Sequence, residues 1–358
     1  MKWLTFLVVI LLFVSCNGSR PDIKMLILSR DSFASSILLN GEDITMDTSK
    51  YIRRFNLICD SLIIAKNSGA YPYYLGIYNL RTKDLLVEFA RRGKGPGEFL
   101  SAKYLSNTYD YTNKECFHIV DIVSRKVSIF NLDSLLNFKD DYSPRQFKLP
   151  DATSNFSPLI NGTYVCYNSF FLDNKEFSNQ NDQIFLFDIR SEKLPIEDFK
   201  YFTPNVSNGY VLVSRDRDRI LIAERYRDVI DIYDKELHHV QTLKGPDFFD
   251  PQVFLRFSNH ISFKPGTEDG GYYPCYSTKD FVYLIYRGPK DLHNPEIEWP
   301  PVEVFKFDWD GNPIDRYVLD RFIYTISVSS DEKEIYGTSY NSIGDPVLVR
   351  FSLTKNSQ

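Results

Sequence analysis

Arginine and aromatic side chains recur in the polar segments of this 358-residue sequence. They supply positive charge, stacking surface and hydrogen-bond donors, and they are the residue types that most often anchor partners at interfaces. We therefore take them as candidates for a binding function. The candidates are Tyr73, Arg91, Arg92, Lys94, Phe170, Arg225, Arg227, His293 and Trp299.

Motifs that mark catalysis are missing from the sequence. It contains neither H-E-x-x-H nor G-x-S-x-G, the patterns of helical zinc sites and of nucleophilic serine turns. His238 and His239 fall in a predicted hairpin, where adjacent side chains point to opposite faces of the strand. His118 lies within an apolar strand and is expected in the core. We predict no catalytic residue, no metal site and no cofactor.

Residues 91–99 form a glycine-rich string, Arg-Arg-Gly-Lys-Gly-Pro-Gly-Glu-Phe. Its order differs from the phosphate-binding G-x-x-x-x-G-K-[ST], and no helix pattern follows it, so a phosphate loop is disfavoured. We expect a sharp crossing between two structural units, in which the glycines allow positive φ or close backbone approach. Phe99 should then enter the core of the second unit.

Cys16 follows a predicted export signal. Residues 1–15 combine Lys2 with an apolar run that ends at Ser15, and this run is too short to span a bilayer. Residues 13–16, Phe-Val-Ser-Cys, resemble the bacterial lipobox, with Phe where Leu is usual. The resemblance implies cleavage before Cys16, lipidation of its thiol and attachment to the membrane through acyl chains alone. No acidic run follows Cys16, which favours an outer-membrane anchor facing the periplasm.

The amino-acid composition indicates the fold class and excludes one class of partner. Aromatic residues make up 15% of the sequence, and these side chains favour β-strands. The formal net charge of −5 gives no concentrated basic face of the kind that nucleic acids require, so we predict no nucleic-acid partner. Cys59, Cys116, Cys166 and Cys275 lie in apolar stretches without a C-x-x-C pair, and we expect them to be buried thiols.

A strand motif recurs six times along the chain. In each copy, apolar residues lead to an aromatic residue, usually followed by Asn or Asp and a turn. The copies are 44 to 74 residues apart, and their aromatic residues are Tyr78, Phe130, Phe187, Tyr233, Phe307 and Phe351. Each copy follows a strand-like apolar stretch, and amphipathic helix patterns longer than about ten residues are missing.

Units of this length with several strands are typical of propeller blades. We predict an all-β fold, a six-bladed β-propeller closed by residues 43–46 as the outer strand of the last blade. The domain boundaries are a signal peptide over residues 1–15, a lipidated tether over 16–30 and the propeller over 31–358. A β-sandwich or two smaller β-domains remain the alternatives, although no Pro/Gly/Ser-rich linker divides the chain.

The first predicted blade resembles a known family. Residues 59–64 (Cys-Asp-Ser-Leu-Ile-Ile), 77–80 (Ile-Tyr-Asn-Leu) and 91–99 are similar to the pattern of the TolB-like six-bladed propeller lipoproteins of Bacteroidetes, the BF3164-like family. The glycine-rich string is also similar to the turn of NHL repeats. The resemblance implies the fold and the lipid anchor, and it implies no catalytic residues.

In a propeller, the turns between second and third strands and the crossings between blades lie on one face. Residues 91–97 are a predicted crossing, and residues 168–183, 225–227 and 288–301 are predicted turns between second and third strands. All the candidate binding residues should therefore meet on that face. Residues 288–301 were also expected to account for the longest repeat spacing of 74 residues.

Three functions are compatible with this arrangement. The favoured one is a non-enzymatic binding lipoprotein of the cell envelope that binds an envelope protein or a glycan through this face. The second is a hydrolase or lyase with a channel metal, Ca²⁺ included, or a carboxylate pair; three or more Asp, Glu or His in the channel would support it. The third is a glycan-processing protein with an exposed aromatic platform beside carboxylates.

Overall fold

The computed structural model describes residues 23–46, 52–67, 72–95, 97–105, 115–121, 123–150, 153–160, 162–168, 184–188, 209–214, 216, 218–249, 253–256, 260–263, 270–288 and 301–354. Their strands form six blades and one separate hairpin. The predicted six-bladed propeller is therefore confirmed. Among these residues, no helix has the length and apolar character needed to cross a membrane.

The described chain begins with three strands that join the outer edges of later blades: β1 (Lys24–Ile27), β2 (Ser35–Leu39) and β3 (Glu42–Ile44). Blade 1 consists of β4 (Ile52–Cys59), β5 (Leu62–Asn67), β6 (Tyr73–Asn79) and β7 (Leu85–Arg91). Blade 2 consists of β8 (Ala102–Tyr104), β9 (Cys116–Asp121), β10 (Lys126–Asn131) and β11 (Arg145–Lys148), with helix α1 (Leu132–Phe138) between the last two strands.

Blade 3 contains the described strands β12 (Thr153–Ile160), β13 (Thr163–Asn168) and β14 (Ile184–Asp188). Blade 4 consists of β15 (Gly209–Ser214), β16 (Arg219–Glu224), β17 (Val229–Asp234) and β18 (His239–Lys244). A hairpin of β19 (Val253–Arg256) and β20 (His260–Phe263) follows. Blade 5 consists of β21 (Tyr272–Ser277), β22 (Phe281–Tyr286), β23 (Glu303–Asp308) and β24 (Pro313–Leu319). Blade 6 consists of β25 (Ser327–Val328), β26 (Glu334–Tyr340) and β27 (Pro346–Ser352).

The ring closes through blade 6, as predicted. Strand β3 pairs antiparallel with β27, with Ile44 opposite Leu348, so the N-terminal segment supplies the outermost strand of the last blade. Buried hydroxyl groups of blade 6 then bond to the inner strand of blade 1. The backbone N–H of Phe55 donates to Thr338 Oγ1 over 2.8 Å, and Thr325 Oγ1 donates to the Phe55 carbonyl over 2.7 Å.

Residues 24–39 run along the outside of blades 4 and 5. Strand β1 pairs in parallel with β18, and β2 pairs in parallel with β24. Between them, Arg30 forms ion pairs with Asp247 (2.8 Å) and Glu303 (3.1 Å). The segment predicted as a tether over residues 16–30 thus includes β1, and at least residues 24–27 belong to the propeller.

Apolar residues on both faces of the middle strands pack one blade against the next, as wedged sheets require. The ring centre of Phe33, from the N-terminal segment, lies 4.8 Å from that of Phe305 in the core between blades 4 and 5.

Cys166 and Cys275 are buried as predicted, whereas Cys59 and Cys116 are only partly buried; all four are free thiols. The longest repeat spacing, between Tyr233 and Phe307, was attributed to residues 288–301 alone. The structure shows that the hairpin β19–β20 also lies within this spacing.

Candidate functional site

The strand order places those predicted binding residues that the structure describes at one end of the ring, which we call the loop-rich face. It carries the turns between second and third strands and the crossings between blades. Tyr73 and Arg91 are paired at this end of blade 1, followed by Arg92 and Lys94. Arg225 and Arg227 lie in the turn between β16 and β17 of blade 4. Cys16, Phe170, His293 and Trp299 lie outside the described residues.

The glycine-rich crossing is built around its own carboxylate. Glu98 Oε2 accepts a hydrogen bond from the backbone N–H of Gly95 over 2.8 Å, and Glu98 Oε1 lies 3.7 Å from Arg91 Nε. At Gly93, with φ of 155°, an added Cβ would lie 1.8 Å from the Glu98 carboxylate. The carboxylate thus occupies the space beside Gly93 and Gly95. Phe99 is buried against Phe130 of blade 2, as predicted.

A buried aspartate fixes the turn that carries Arg225 and Arg227. Asp228 follows them directly, and its Oδ2 accepts hydrogen bonds from the backbone N–H groups of Asp247 (2.7 Å) and Phe248 (2.9 Å). Burial raises the pKa of the Asp228 carboxyl above its usual range. These bonds join the turn to the crossing between blades 4 and 5.

Arginine and aromatic side chains stack at the rim of the ring. The guanidinium carbon of Arg92 lies 3.5 Å from the centre of the Tyr74 ring. That of Arg287 lies 3.7 Å from the Tyr273 ring, and that of Arg225 lies 5.3 Å from the same ring. Such cation–π contacts hold planar cations in place at the surface. Arg287 and Tyr273 were not predicted.

The loop-rich face also carries exposed apolar side chains. Among the described residues, ten large hydrophobic side chains are exposed, and five of them lie in the turns, crossings or strand ends of this face. They come from four different connections. These five residues are Leu100, Val123, Phe248, Tyr340 and Ile343.

The central channel opens into a cavity of about 480 Å³. Most of its walls come from the innermost strands of the six blades or the residues beside them, and part comes from β5 and β6 of blade 1. The innermost strands start at the loop-rich face, and lining residues such as Arg54, Asn155 and Tyr210 lie in their first halves, so the cavity lies at that end of the channel. Representative lining residues from blades 1 to 6 are Arg54, Lys103, Asn155, Tyr210, Pro274 and Thr325.

The described lining of this cavity is cationic. Arg54, Lys66 and Lys103 line it, and the described lining includes no Asp, Glu or His. The Lys103 side chain reaches solvent in the channel, where the surrounding walls reduce its hydration. This desolvation lowers the pKa of Lys103 to about 8, with further lowering by Arg54, Lys66 and Arg225. Burial also raises the pKa of the Tyr210 hydroxyl, so this group stays a neutral hydrogen-bond donor.

The cavity does not resemble a site for metal or carboxylate chemistry. Calcium requires several oxygen ligands, usually carboxylates, and the described residues that line this cavity include no carboxylate. The described residues around this cavity are positively charged and do not include the three or more Asp, Glu or His that would support the predicted hydrolase or lyase. Asp234, Glu236 and His238 do lie within metal-ligand distance of one another, but they form an exposed cluster at the opposite face, between β17 and β18.

Comparison with known proteins agrees with this fold. The model of the TolB-like six-bladed propellers matches residues 45–331, most of the chain. The chain belongs to the TolB-like six-bladed propeller family. None of the curated proteins matches its sequence.

Two solved structures share the fold of this TolB-like propeller. A member of the DUF4221 family from Bacteroides vulgatus is 10% identical, with a TM-score of 0.55, over 88% of this chain and 96% of that one. A candidate exported protein of Bacteroides fragilis is 14% identical, with a TM-score of 0.51, over 92% of this chain and 99% of that one. At these identities, the likeness concerns the fold alone.

The channel residues of this TolB-like propeller escaped the sequence analysis. The repeat was aligned on second and third strands, whose apolar character makes them conspicuous. The innermost strands are partly polar, and β8 has only the three residues Ala102-Lys103-Tyr104. A charged or amide residue near the start of the first three blades, at Arg54, Lys103 and Asn155, was the signal that could have revealed the cationic lining.

Proposed function

We propose that this protein is a non-enzymatic binding lipoprotein of the bacterial cell envelope and that its loop-rich face holds the partner. The observation that carries the proposal is that exposed apolar side chains from four connections and stacked arginines occur together on that face. Loops on a rigid scaffold are the usual location of binding sites, and arginine and aromatic side chains are the residue types that most often anchor partners.

An envelope protein is the proposed partner. The exposed apolar residues are distributed over several blades, from Val123 in blade 2 to Ile343 in blade 6. Such an extended surface matches the area of a protein interface better than that of a single sugar. Arg92 and Arg225, already held by aromatic rings, lose little side-chain entropy on binding, which favours affinity.

The test is site-directed photo-crosslinking of the full chain in the producing cells. A photoreactive residue replaces Val123 or Ile343 on the loop-rich face, or Lys333 on the opposite face, where it is paired with Asp331. We expect adducts of the same mass from Val123 and Ile343, and none from Lys333. Equal adducts from both faces, or none from the loop-rich face, would show that this surface is not the interface.

The anchor completes the proposal. We place the chain with the BF3164-like lipoproteins, lipidated on Cys16 and attached to the outer membrane facing the periplasm. The short span between Cys16 and β1 holds the propeller close to the membrane. Cell fractionation tests this: wild type is expected with the membranes, and Cys16→Ser in the soluble envelope fraction. A Cys16→Ser variant that stays with the membranes would exclude the lipid anchor.

A further inference from the structure

The cationic cavity goes beyond the proposed partner surface. Proteins seldom keep several like charges around one enclosed space, since mutual repulsion and loss of hydration destabilise the fold. Arg54, Lys66 and Lys103 line the cavity, and Arg225 is close enough to act on Lys103. Among the described residues, no carboxylate forms an ion pair with Arg54 or Lys103. The positive charge of Arg54 and Lys103 is therefore available to a ligand.

The cavity has the size and the chemistry of a small-molecule site. Its volume of about 480 Å³ lies within the usual range of ligand pockets, about 300–1,000 Å³. Neutral polar groups also line the wall, among them Asn56, Asn155 and Tyr210. Side-chain amides and phenol hydroxyls donate hydrogen bonds to anionic oxygens, and an apolar wall from Ile64 and Leu75 borders the same space.

We infer that this cavity binds a small organic polyanion, one that carries several phosphate, sulfate or carboxylate groups. The ligand enters from the loop-rich face, and its anionic groups meet Arg54, Lys66 and Lys103. Charge-assisted hydrogen bonds to these cations are stronger than neutral ones. This inference rests on the proposed function in one respect, that the ligand enters through the loop-rich face. The cavity itself is distinct from the outer apolar surface of that face.

The experiment is isothermal titration of the full chain, purified in detergent, with three probes. Inositol hexakisphosphate represents phosphorylated ligands, a sulfated heparin disaccharide represents sulfate and carboxylate ligands, and maltose is the neutral control. We expect one polyanion per chain and no binding of maltose. The polyanion that binds more tightly identifies the anionic group of the natural ligand. Failure of both polyanions to bind wild type would overturn the inference.

Variants locate the site. Lys103→Gln and Arg54→Gln are each expected to weaken polyanion binding about tenfold or more, the usual loss for one charged hydrogen bond. Lys103→Arg keeps the charge and should bind within about threefold of wild type. Lys235→Gln, on the opposite face and paired with Asp218, is the matched control and should bind unchanged.

Two outcomes of the variant series contradict the inference. Binding unchanged in both Lys103→Gln and Arg54→Gln would place the polyanion elsewhere, and equal loss in Lys103→Arg and Lys103→Gln would show that charge is not what binds. Neither result affects the photo-crosslinking at Val123 and Ile343, so the channel inference and the proposed partner surface fail separately.

Discussion

Single hydroxyl groups hold the junction between blades 6 and 1. Strand β4 faces blade 6 with its backbone, and the N–H and C=O groups of Phe55 need partners there because they are buried. Thr338 supplies both: its Oγ1 accepts from Phe55 N over 2.8 Å and lies 3.0 Å from Phe55 O. Thr325 contributes a second bond to the same carbonyl. The closure of the ring thus depends on side-chain hydroxyls as well as on strand pairing.

Thr338→Val should destabilise the protein by about 2 kcal/mol. Valine has the same shape, but it leaves the Phe55 N–H buried and unbonded, and an unsatisfied buried group costs about 1–3 kcal/mol. Denaturant unfolding of the full chain measures the difference. Thr338→Ser retains the hydroxyl and is the control, with an expected loss of less than about 1 kcal/mol from the missing methyl group. Equal stability of the Val and Ser variants would contradict this role.

Lys103 should react with acylating reagents faster than other lysines. Its pKa is lowered to about 8 by burial, then by Arg54, Lys66 and Arg225. Close to half of the Lys103 amines are therefore neutral and nucleophilic at about pH 8, against well under about 1% of an ordinary lysine with a pKa near 10.4. Brief acetylation followed by peptide mass spectrometry measures the rates.

Lys235 is the internal control for that labelling. The hydrogen bond from its ammonium group to Asp218 raises its pKa, so its reaction at the same pH should be slower than that of Lys103, although both side chains reach solvent. If the two lysines react at the same rate, the channel does not lower the Lys103 pKa. A bound polyanion should protect Lys103 and leave Lys235 unchanged.

At the scale of elements, the N-terminal segment ties blades 4, 5 and 6 together from outside. It adds β1 to blade 4, β2 to blade 5 and β3 to blade 6. Arg30, between β1 and β2, connects Asp247 of one crossing to Glu303 at the start of β23, and Phe33 fills the core below. The segment therefore resists separation of these blades.

Arg30→Gln should loosen this segment in a pH-dependent way. Arg30 holds the pKa of the Asp247 carboxyl below its usual range. The ion pair therefore stabilises the folded state above about pH 4, and this contribution disappears as the pH falls through the lowered pKa of Asp247. Since the pair is partly solvated, we expect a loss of about 1 kcal/mol at neutral pH. Thermal unfolding at several pH values measures it, with Arg30→Lys as the control.

Two results decide that prediction. The stability difference between wild type and Arg30→Gln should shrink as the pH falls below about 4, and limited proteolysis at pH 7 should cut residues 23–46 of the variant first. A difference that does not shrink on acidification would show that Arg30 acts through packing alone.

The elements that could be predicted from sequence are those with a strong pattern. The second and third strands of each blade are apolar on both faces, so β5, β16 and β22 stood out, as did the outer strand at residues 43–46. Strands whose residues face the channel carry mixed polarity, and β8 and β25 are only three and two residues long. Parallel edge strands such as β1 depend on contacts with distant residues, which no local pattern contains.

At the scale of the whole molecule, the ring of six blades brings residues that are far apart in the sequence to one common rim. Arg91 and Arg225 are far apart in the chain, and closure of the ring places both at the same face. The strand order was enough to predict this. The cationic channel was not predictable from the repeat, since Arg54 and Lys66 of blade 1 and Lys103 of blade 2 come together only when the innermost strands meet around the axis.

Removing a channel cation should stabilise the ligand-free protein. Lys103→Gln and Arg54→Gln each relieve repulsion within the ring of positive charge, and we expect each to raise the unfolding temperature by about 2 °C at about 10 mM salt. The gain should diminish at about 0.5 M salt, where the charges are screened. Lys333→Gln, which breaks the exposed pair with Asp331, is the control and should give no rise.

The direction of that change separates a binding role from a structural one. Cations that serve the fold are paired, and their loss destabilises it; cations kept for a ligand impose a cost on the empty protein. A lower unfolding temperature for both channel variants at low salt would therefore mean that Arg54 and Lys103 hold the ring together. A higher one, combined with weaker polyanion binding, means that the fold tolerates this repulsion because the channel holds an anion.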